Sequence, residues 1–190
     1  AKAENIVLTG FMGTGKTTVG RSLSKKTGLR FLDADELIEN KAAMPVVDIF
    51  SLKGEPYFRS LEKEVIKEVT ETMTGVIFST GGGAVIDPEN RERLRQWGAV
   101  ICLHAKAEII AKRVGNGDER PLLSGDVSPF SKGGSEGIDV LKRTAKIKEI
   151  LKQREEVYKD CHLMIDTTHK DVKAVVDEVE GFLKGRVVKS

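Results

Sequence analysis

The sequence predicts an α/β protein, built as a three-layer α/β/α domain around a five-stranded parallel sheet. Short apolar runs alternate with longer segments of helical periodicity along the 190 residues. Near-continuous apolar runs are typical of strands buried on both faces of a parallel sheet. A strand followed by a helix, repeated, produces right-handed βαβ units with helices on both faces. We therefore expect one domain over residues 1–190.

The individual elements follow from apolar spacing and boundary residues. Asp87 before Pro88 supplies an N-cap and a proline at the first helical position. The glycine- and serine-rich stretch from Ser124 to Gly137 has no period and many breakers, which predicts a mobile loop rather than a second domain. The predicted strands are Asn5 to Thr9, Arg30 to Asp33, Val76 to Ser79, Val100 to Leu103 and Leu163 to Asp166; the predicted helices are Lys16 to Thr27, Gly54 to Thr72, Pro88 to Gln96, Ala105 to Val114, Ile138 to Asp160 and Asp171 to Leu183.

Composition and charge indicate which partners, and which state of the cysteines, to expect for this protein. Lys and Arg number 31 against 29 Asp and Glu, a net charge of +2, so we expect neither nucleic acid nor a membrane surface as partner. No apolar run approaches the ~20 residues of a membrane span. Cys102 and Cys161 lack metal-ligand spacing, and we expect buried free thiols in a reducing cytoplasm. The chain begins with Ala, and a targeting segment removed upstream would leave no trace.

A complete phosphate-loop motif occupies residues 10–17, which read Gly-Phe-Met-Gly-Thr-Gly-Lys-Thr between a predicted strand and a predicted helix. Glycines let backbone N–H groups wrap a polyphosphate, and the helix N-terminus adds further N–H groups and a positive dipole end. Lys16 is expected to reach the β- and γ-phosphates, and the Thr17 hydroxyl to ligate Mg²⁺. The motif predicts a nucleotide with its Mg²⁺, and nothing narrower.

Two aspartates end the second predicted strand. If the extended conformation persists, Asp33 and Asp35 point the same way. One carboxylate can hold Mg²⁺ through water, and the other can accept the proton of an attacking hydroxyl. The alternative is that Asp35 only caps the helix that begins at Glu36.

A glycine triplet and three arginines complete the set of candidates. The triplet Gly81 to Gly83 follows another predicted strand and favours close backbone approach by a ligand, with a flexible turn as the alternative. Arg59 has Glu62 three residues on, which could orient it across one helical face. Arg120 begins the breaker-rich loop and could bring positive charge to a transferring phosphoryl group. Arg154 lies near the end of a long charged helix, where a lone arginine is usually solvated.

Taken together, these motifs resemble the shikimate kinase family, in the nucleoside-monophosphate-kinase-like branch of P-loop folds. The phosphate loop is generic, whereas the ordered set is specific and covers nearly the whole chain. The stretch after Leu123 is longer and richer in glycine and serine than the lid of this family. The motifs are residues 10–17, Asp33-x-Asp35, Ile49-Phe50 leading into Gly54-Glu55-x-x-Phe58-Arg59-x-x-Glu62, Gly81-Gly82-Gly83, Arg120-Pro121-Leu122-Leu123 and Arg154-x-x-x-Tyr158.

The resemblance implies ATP-dependent phosphorylation of the 3-hydroxyl of shikimate, in chorismate and aromatic amino acid biosynthesis, by a cytoplasmic monomer. It implies a substrate-binding region over 34–62 and a mobile lid over 113–137. Arg113 would lie against adenine, and Arg59 and Arg154 would clamp the substrate carboxylate. It assigns Lys16, Asp35 and Arg120 to catalysis; Gly13, Thr14, Gly15, Lys16, Thr17, Thr18, Arg113 and Arg120 to ATP; Asp35, Phe50, Phe58, Arg59, Gly81, Gly82, Gly83 and Arg154 to shikimate; and Thr17 and Asp33 to Mg²⁺.

Two other functions are weighed against this one. A kinase for another small hydroxylated metabolite, such as gluconate or a nucleoside monophosphate, would explain the phosphate loop but leave Asp35, Arg59 and the glycine triplet unassigned. A catalytically silent relative that binds nucleotide or a protein partner would be expected to lose catalytic groups. All of those groups are present in this chain.

Overall fold

The computed structural model describes residues 5–114 and 136–187, and the side chains of 5–114 and 140–186. Within them lies a five-stranded sheet in the order β2-β3-β1-β4-β5, in which every neighbouring pair is parallel. This confirms the predicted fold class. The strands are β1 (Ile6–Thr9), β2 (Arg30–Asp33), β3 (Val76–Ser79), β4 (Ala99–His104) and β5 (Leu163–Asp166).

Helices connect the strands and cover both faces of the sheet. Two of them, α2 and α3, were not among the predicted helices, and the helix predicted from Ile138 to Asp160 is interrupted at Arg154, where φ is −103° and ψ is 2°. A 3₁₀ turn covers Ala84–Ile86. The helices are α1 (Lys16–Thr27), α2 (Ala34–Ala42), α3 (Val46–Lys53), α4 (Glu55–Thr72), α5 (Pro88–Trp97), α6 (Ala107–Val114), α7 (Glu136–Gln153), α8 (Glu155–Lys159) and α9 (Val172–Val187).

The sheet separates two apolar layers because successive side chains of a strand point to opposite faces. In β1, Val7 packs into the layer formed with α4, α5 and α6. Ile6 and Leu8 pack into the other layer, with Val19 of α1 and Val176 of α9. All three β1 residues are almost completely buried. The core therefore lies on both sides of β1, as a doubly wound sheet requires.

Strand order places three loops side by side at the carboxyl edge of the sheet. β3 pairs with both β1 and β2, so the loops that follow these strands are neighbours. The Thr80 N–H donates to the carbonyl of Leu8 at 3.0 Å, which continues this contact beyond the strands. Ligands of open α/β sheets bind at this edge.

Two predictions from the sequence lie partly or wholly outside the described residues. They are the role of Arg120 and the mobile lid over 113–137, of which residues 115–135 are not described. In the part of the chain that is described, no helix is long and apolar enough to cross a membrane.

Candidate active site

The phosphate loop leaves β1 through backbone conformations that favour glycine. Gly10, Gly13 and Gly15 have φ values of 129°, 72° and 97°, a region that other residues rarely adopt. α1 begins directly after Gly15 and has no side-chain cap hydrogen bond. Its first N–H groups therefore offer an anion site beside the loop.

Side chains of the loop itself and of α6 stabilise the phosphate loop by hydrogen bonds to its carbonyl groups. The Thr14 hydroxyl is buried and donates to the carbonyl of Phe11 at 2.7 Å. Arg113 of α6 donates to the carbonyl of Gly13 at 3.2 Å and to that of Thr167 at 3.1 Å. Sequence reasoning missed Thr167, whose hydroxyl lies 3.2 Å from the Thr14 carbonyl. No local pattern signals it, since it comes from the loop after β5.

Lys16 and Thr17 stand at the mouth of the loop. The Lys16 ammonium donates to the carbonyls of Gly10 and Phe11, both at 2.9 Å. The Thr17 hydroxyl donates to Oδ2 of Asp33 at 3.0 Å. Hydroxyl and carboxylate oxygens are the ligands that Mg²⁺ prefers, and Mg²⁺ takes only one or two of them from the protein. This pair fits the ion.

Asp33 and Asp35 do not share an extended strand, because α2 begins at Ala34. Asp33 is the N-cap: its Oδ1 accepts from the N–H of Asp35 at 3.0 Å. The alternative that Asp35 merely caps a helix starting at Glu36 is therefore wrong. Asp35 lies in the first turn of α2, where the helix dipole favours a charged carboxylate, and it lines the same cavity as Asp33.

Arg59 is held by two carboxylates on its own helix. Its Nη1 donates to Oε2 of Glu62 at 2.5 Å, and its Nε lies 3.3 Å from Oε1 of Glu55. The guanidinium also lies 5.3 Å from the ring centre of Phe58. The orientation of Arg59 by Glu62, predicted from their spacing, is confirmed. The side chain is thus fixed before any substrate arrives.

Glu62 is an unusual group for a helix interior, because its side chain is only 2% exposed. Burial raises the pKa of this carboxyl, and the charge and hydrogen bond of Arg59 oppose the shift. Within the described residues, Oε1 is buried and lacks a hydrogen-bond partner. A Cβ on Gly81 would lie 2.7 Å from that oxygen and 3.6 Å from Oδ1 of Asp35, so glycine is needed beside the two carboxylates.

Arg154 approaches the glycine triplet from the opposite side. It sits at the junction of α7 and α8, and its Nη1 lies 3.4 Å from the carbonyl of Gly82. The same carbonyl accepts a hydrogen bond from the Tyr158 hydroxyl at 2.6 Å. The guanidinium lies 6.0 Å from the ring centre of Phe11 in the phosphate loop. Arg154 therefore links α7 and α8 to both loops.

These groups surround one cavity of about 230 Å³. Phe50 and Phe58 form part of its wall, with ring centres 4.6 Å apart. Of the predicted site residues, Thr14 and Arg113 contact the phosphate loop but do not line the cavity. Arg120 is outside the described residues. Lining residues that were predicted are Gly13, Gly15, Lys16, Thr17, Thr18, Asp33, Asp35, Phe50, Phe58, Arg59, Gly81, Gly82, Gly83 and Arg154; those not predicted as site residues include Met12, Val46, Ser79, Thr80 and Ile150.

The two cysteines, far apart in sequence, meet near this site. Both are free, but Cys161 is only partly buried, so the expectation of two buried thiols is wrong for it. The Cys102 thiol hydrogen-bonds to Cys161, which lowers the pKa of Cys161 to about 7. The same hydrogen bond, together with burial, raises the pKa of Cys102. Pairing of β4 with β5 brings the two residues together.

Comparison with known proteins gives consistent matches over nearly the full chain. The family model described as shikimate kinase matches residues 12–184. A shikimate kinase of Geobacter metallireducens is 41% identical over 186 residues, covering 98% of this chain and 95% of that protein. One from Thermoanaerobacter pseudethanolicus is 41% identical over 176 residues, covering 93% and 94%.

Solved structures agree with the sequence matches. The shikimate kinase of Acinetobacter baumannii in complex with shikimate superimposes with a TM-score of 0.83 at 32% identity, covering 97% of this chain and 94% of that chain. The shikimate kinase of Aquifex aeolicus gives a TM-score of 0.75 at 28% identity, covering 98% and 99%.

Proposed function

The chain belongs to the shikimate kinase family, and from this premise we propose how its residues carry out the reaction. It is an ATP-dependent phosphotransferase that converts shikimate to shikimate 3-phosphate, with ADP as the second product, in aromatic amino acid biosynthesis. One observation carries the assignment of residues. A single cavity joins the phosphate loop, Asp33 and Asp35, and the arginines Arg59 and Arg154.

The donor half of the site is assigned to the phosphate loop and the start of α1. Backbone N–H groups of Gly13 to Thr18 bind the β- and γ-phosphates, and Lys16 exchanges its two carbonyl partners for phosphate oxygens. Thr17 and Asp33 would hold Mg²⁺, which supplies positive charge to offset that of the phosphates. Arg120 is assigned to the transferring phosphoryl group on the family pattern alone. Arg113 is assigned to the adenine side on the same ground.

The acceptor half is assigned to the two arginines and the glycine triplet. Arg59 of α4 and Arg154 at the junction of α7 and α8 bind the shikimate carboxylate, for which the planar guanidinium fork is suited. Phe50 and Phe58 cover the apolar side of the ring. The carbonyl of Gly82 is already bonded to α8, so contact with the substrate hydroxyls falls to the N–H groups of Gly81 to Gly83.

Catalysis rests on positioning and on charge. Asp35 accepts the proton of the 3-hydroxyl as its oxygen attacks the γ-phosphorus and the bond to the leaving ADP oxygen breaks. Lys16 stabilises the charge that develops on the phosphoryl oxygens and on ADP.

The test is to incubate the protein with ATP, Mg²⁺ and shikimate and to follow ADP release. Phosphorus and proton NMR of the product should locate the phosphate on the 3-oxygen. Faster turnover of gluconate or a nucleoside monophosphate would overturn the substrate assignment, and nucleotide binding without turnover would indicate a silent relative. Omission of Mg²⁺ tests the metal requirement.

We also propose that the enzyme acts as a cytoplasmic monomer without nucleic-acid or membrane partners. The mild net charge of +2 supports the part of this proposal that concerns nucleic acid and membranes. Light scattering coupled to size exclusion should give the mass of a single chain, and a dimer mass would contradict the proposal.

A further inference from the structure

Tyr158 is a buried tyrosine whose hydroxyl contacts the glycine triplet, on the side of the cavity assigned to the substrate. Its ring is 6% exposed and packs in the core layer that contains α4 and α5. Its hydroxyl donates to the carbonyl of Gly82 at 2.6 Å, across 76 residues of sequence. The roles assigned above to the glycine triplet and to Arg154 do not explain this contact.

The Tyr158 hydroxyl is the stronger of the two groups that bind the Gly82 carbonyl. The guanidinium of Arg154 lies 3.4 Å from this oxygen, at the long end of the hydrogen-bond range, whereas 2.6 Å is a short bond. When Arg154 binds a carboxylate, Tyr158 still holds the carbonyl. Because a peptide unit is planar with its C=O and N–H trans, fixing the Gly82 carbonyl toward α8 directs the N–H of Gly83 the opposite way.

Tyr158 also places Arg154. The N–H of Tyr158 donates to the carbonyl of Arg154 at 3.0 Å, so the two residues are one turn apart on the same face of α8. The main chain departs from helical geometry at Arg154 itself, and α8 spans only Glu155–Lys159. A helix this short depends on tertiary contacts for its position. The bond from Tyr158 to Gly82 is such a contact.

The phenol is suited to donate this bond at neutral pH. Burial raises the pKa of Tyr158, and the charge and hydrogen bond of Arg154 oppose the shift. The hydroxyl therefore keeps its proton through the physiological range.

We propose that Tyr158 is a positioning residue for shikimate: its hydroxyl fixes the peptide between Gly82 and Gly83 and sets the guanidinium of Arg154 at the cavity. The inference rests on the proposed function, in which these groups bind the substrate. The proposal assigns a role to Tyr158, the last residue of the Arg154-x-x-x-Tyr158 motif. In this role Tyr158 positions groups that bind shikimate and does not itself touch the substrate.

The first experiment compares Tyr158→Phe with Tyr57→Phe. The first change removes one buried hydroxyl and keeps the ring in the core. The second removes a hydroxyl from a residue that is 42% exposed and does not line the cavity, although it lies on the same helix as Arg59. We expect Tyr158→Phe to raise the shikimate KM, and the shikimate Kd from calorimetry, about five- to tenfold, because one buried hydrogen bond is lost. The ATP KM should stay within twofold. Tyr57→Phe should match the wild type in both.

The second experiment is a double-mutant cycle with Arg154→Lys. If Tyr158 acts largely through Arg154, Tyr158→Phe should raise the shikimate Kd clearly less in the Arg154→Lys background than in the wild type. Circular dichroism and thermal melting confirm that each variant is folded. An unchanged shikimate KM in Tyr158→Phe, an equal rise in the ATP KM, or full additivity in the cycle would overturn the inference.

The two levels of the proposal can be separated. If the wild type turns over shikimate and Arg154→Lys raises its KM, the proposed function stands whatever Tyr158→Phe does. If the wild type does not phosphorylate shikimate, the proposed function itself is wrong.

Discussion

Replacing Gly83 with alanine should weaken shikimate binding while leaving the protein folded. A Cβ on Gly83 would lie 2.9 Å from both Cζ and Nη1 of Arg59, and closer still to Nη2. Unstrained contacts between such atoms begin at about 3.4 Å, and the closest atom, Nη2, sets the shift, so the guanidinium must move by about 1 Å. Gly83 has φ −106° and ψ −4°, which alanine can adopt, so the strain falls on Arg59 and not on the backbone.

The displacement acts on a short, charged hydrogen bond. Nη1 of Arg59 donates to Oε2 of Glu62 at 2.5 Å, and Glu62 is too deeply buried to follow. A hydrogen bond to a charged group contributes about 1.5–3 kcal/mol. Losing about half of it, roughly 0.75–1.5 kcal/mol, corresponds to about a four- to twelvefold rise in the shikimate KM. The ATP KM should change less than about twofold, because the added methyl group points at Arg59 and not at the phosphate loop.

The assay is steady-state kinetics with coupled detection of ADP, varying each substrate in turn, alongside a thermal melt. Gly181→Ala is the matched control: it makes the same chemical change within α9, where an added Cβ meets nothing within 4 Å. It should keep both KM values and stabilise the helix slightly. A shikimate KM of Gly83→Ala within twofold of the wild type would refute the role given to the Arg59–Glu62 pair.

Three further changes probe other parts of the site. Asp35→Asn removes the proton acceptor and should lower kcat by about 100-fold or more with the ATP KM nearly unchanged; a normal kcat would exclude Asp35 from the chemistry. Thr17→Val removes the hydroxyl beside Asp33 and should raise the Mg²⁺ concentration needed for half-maximal activity, and an unaltered Mg²⁺ titration would count against this ligand. Cys161, with a pKa of about 7, should react with iodoacetamide at a rate that rises with pH and levels off above pH 7, since the thiolate is the nucleophile; an inflection near the ordinary thiol pKa, with Cys161→Ser as the blank, would show that the Cys102 hydrogen bond is absent.

The elements that sequence reasoning missed are short or interrupted. α3 has eight residues and follows Pro45, too few turns for apolar periodicity to be recognised. α2 was considered only as a helix that begins at Glu36 with Asp35 as its cap, and its true N-cap is Asp33. The break at Arg154 lies in a segment rich in charged, helix-favouring residues, with no glycine or proline beside it. Its partner, Gly82, is remote in sequence, so no local pattern could locate it.

Local sequence is enough to predict the parts of the site that depend on neighbours along the chain. The turn of the phosphate loop follows from glycines at positions with positive φ. The hydrogen bond from Arg59 to Glu62 follows from a spacing of three residues on one helix. The buried strands β1, β3 and β4 follow from continuous apolar runs. The same expectation is wrong for β2 and β5, which are only partly buried because they lie at the edges of the sheet.

The contacts between groups that are distant along the chain depend on how the fold packs. The strand order β2-β3-β1-β4-β5 sets the phosphate loop beside the glycine triplet and brings Cys161 to Cys102. The bond from Tyr158 to Gly82 likewise joins segments that are distant along the chain. Periodicity and spacing describe one segment of the chain at a time. Contacts between distant segments depend on how the helices pack on the sheet, because packing selects the pairs of side chains that fill the space between these layers.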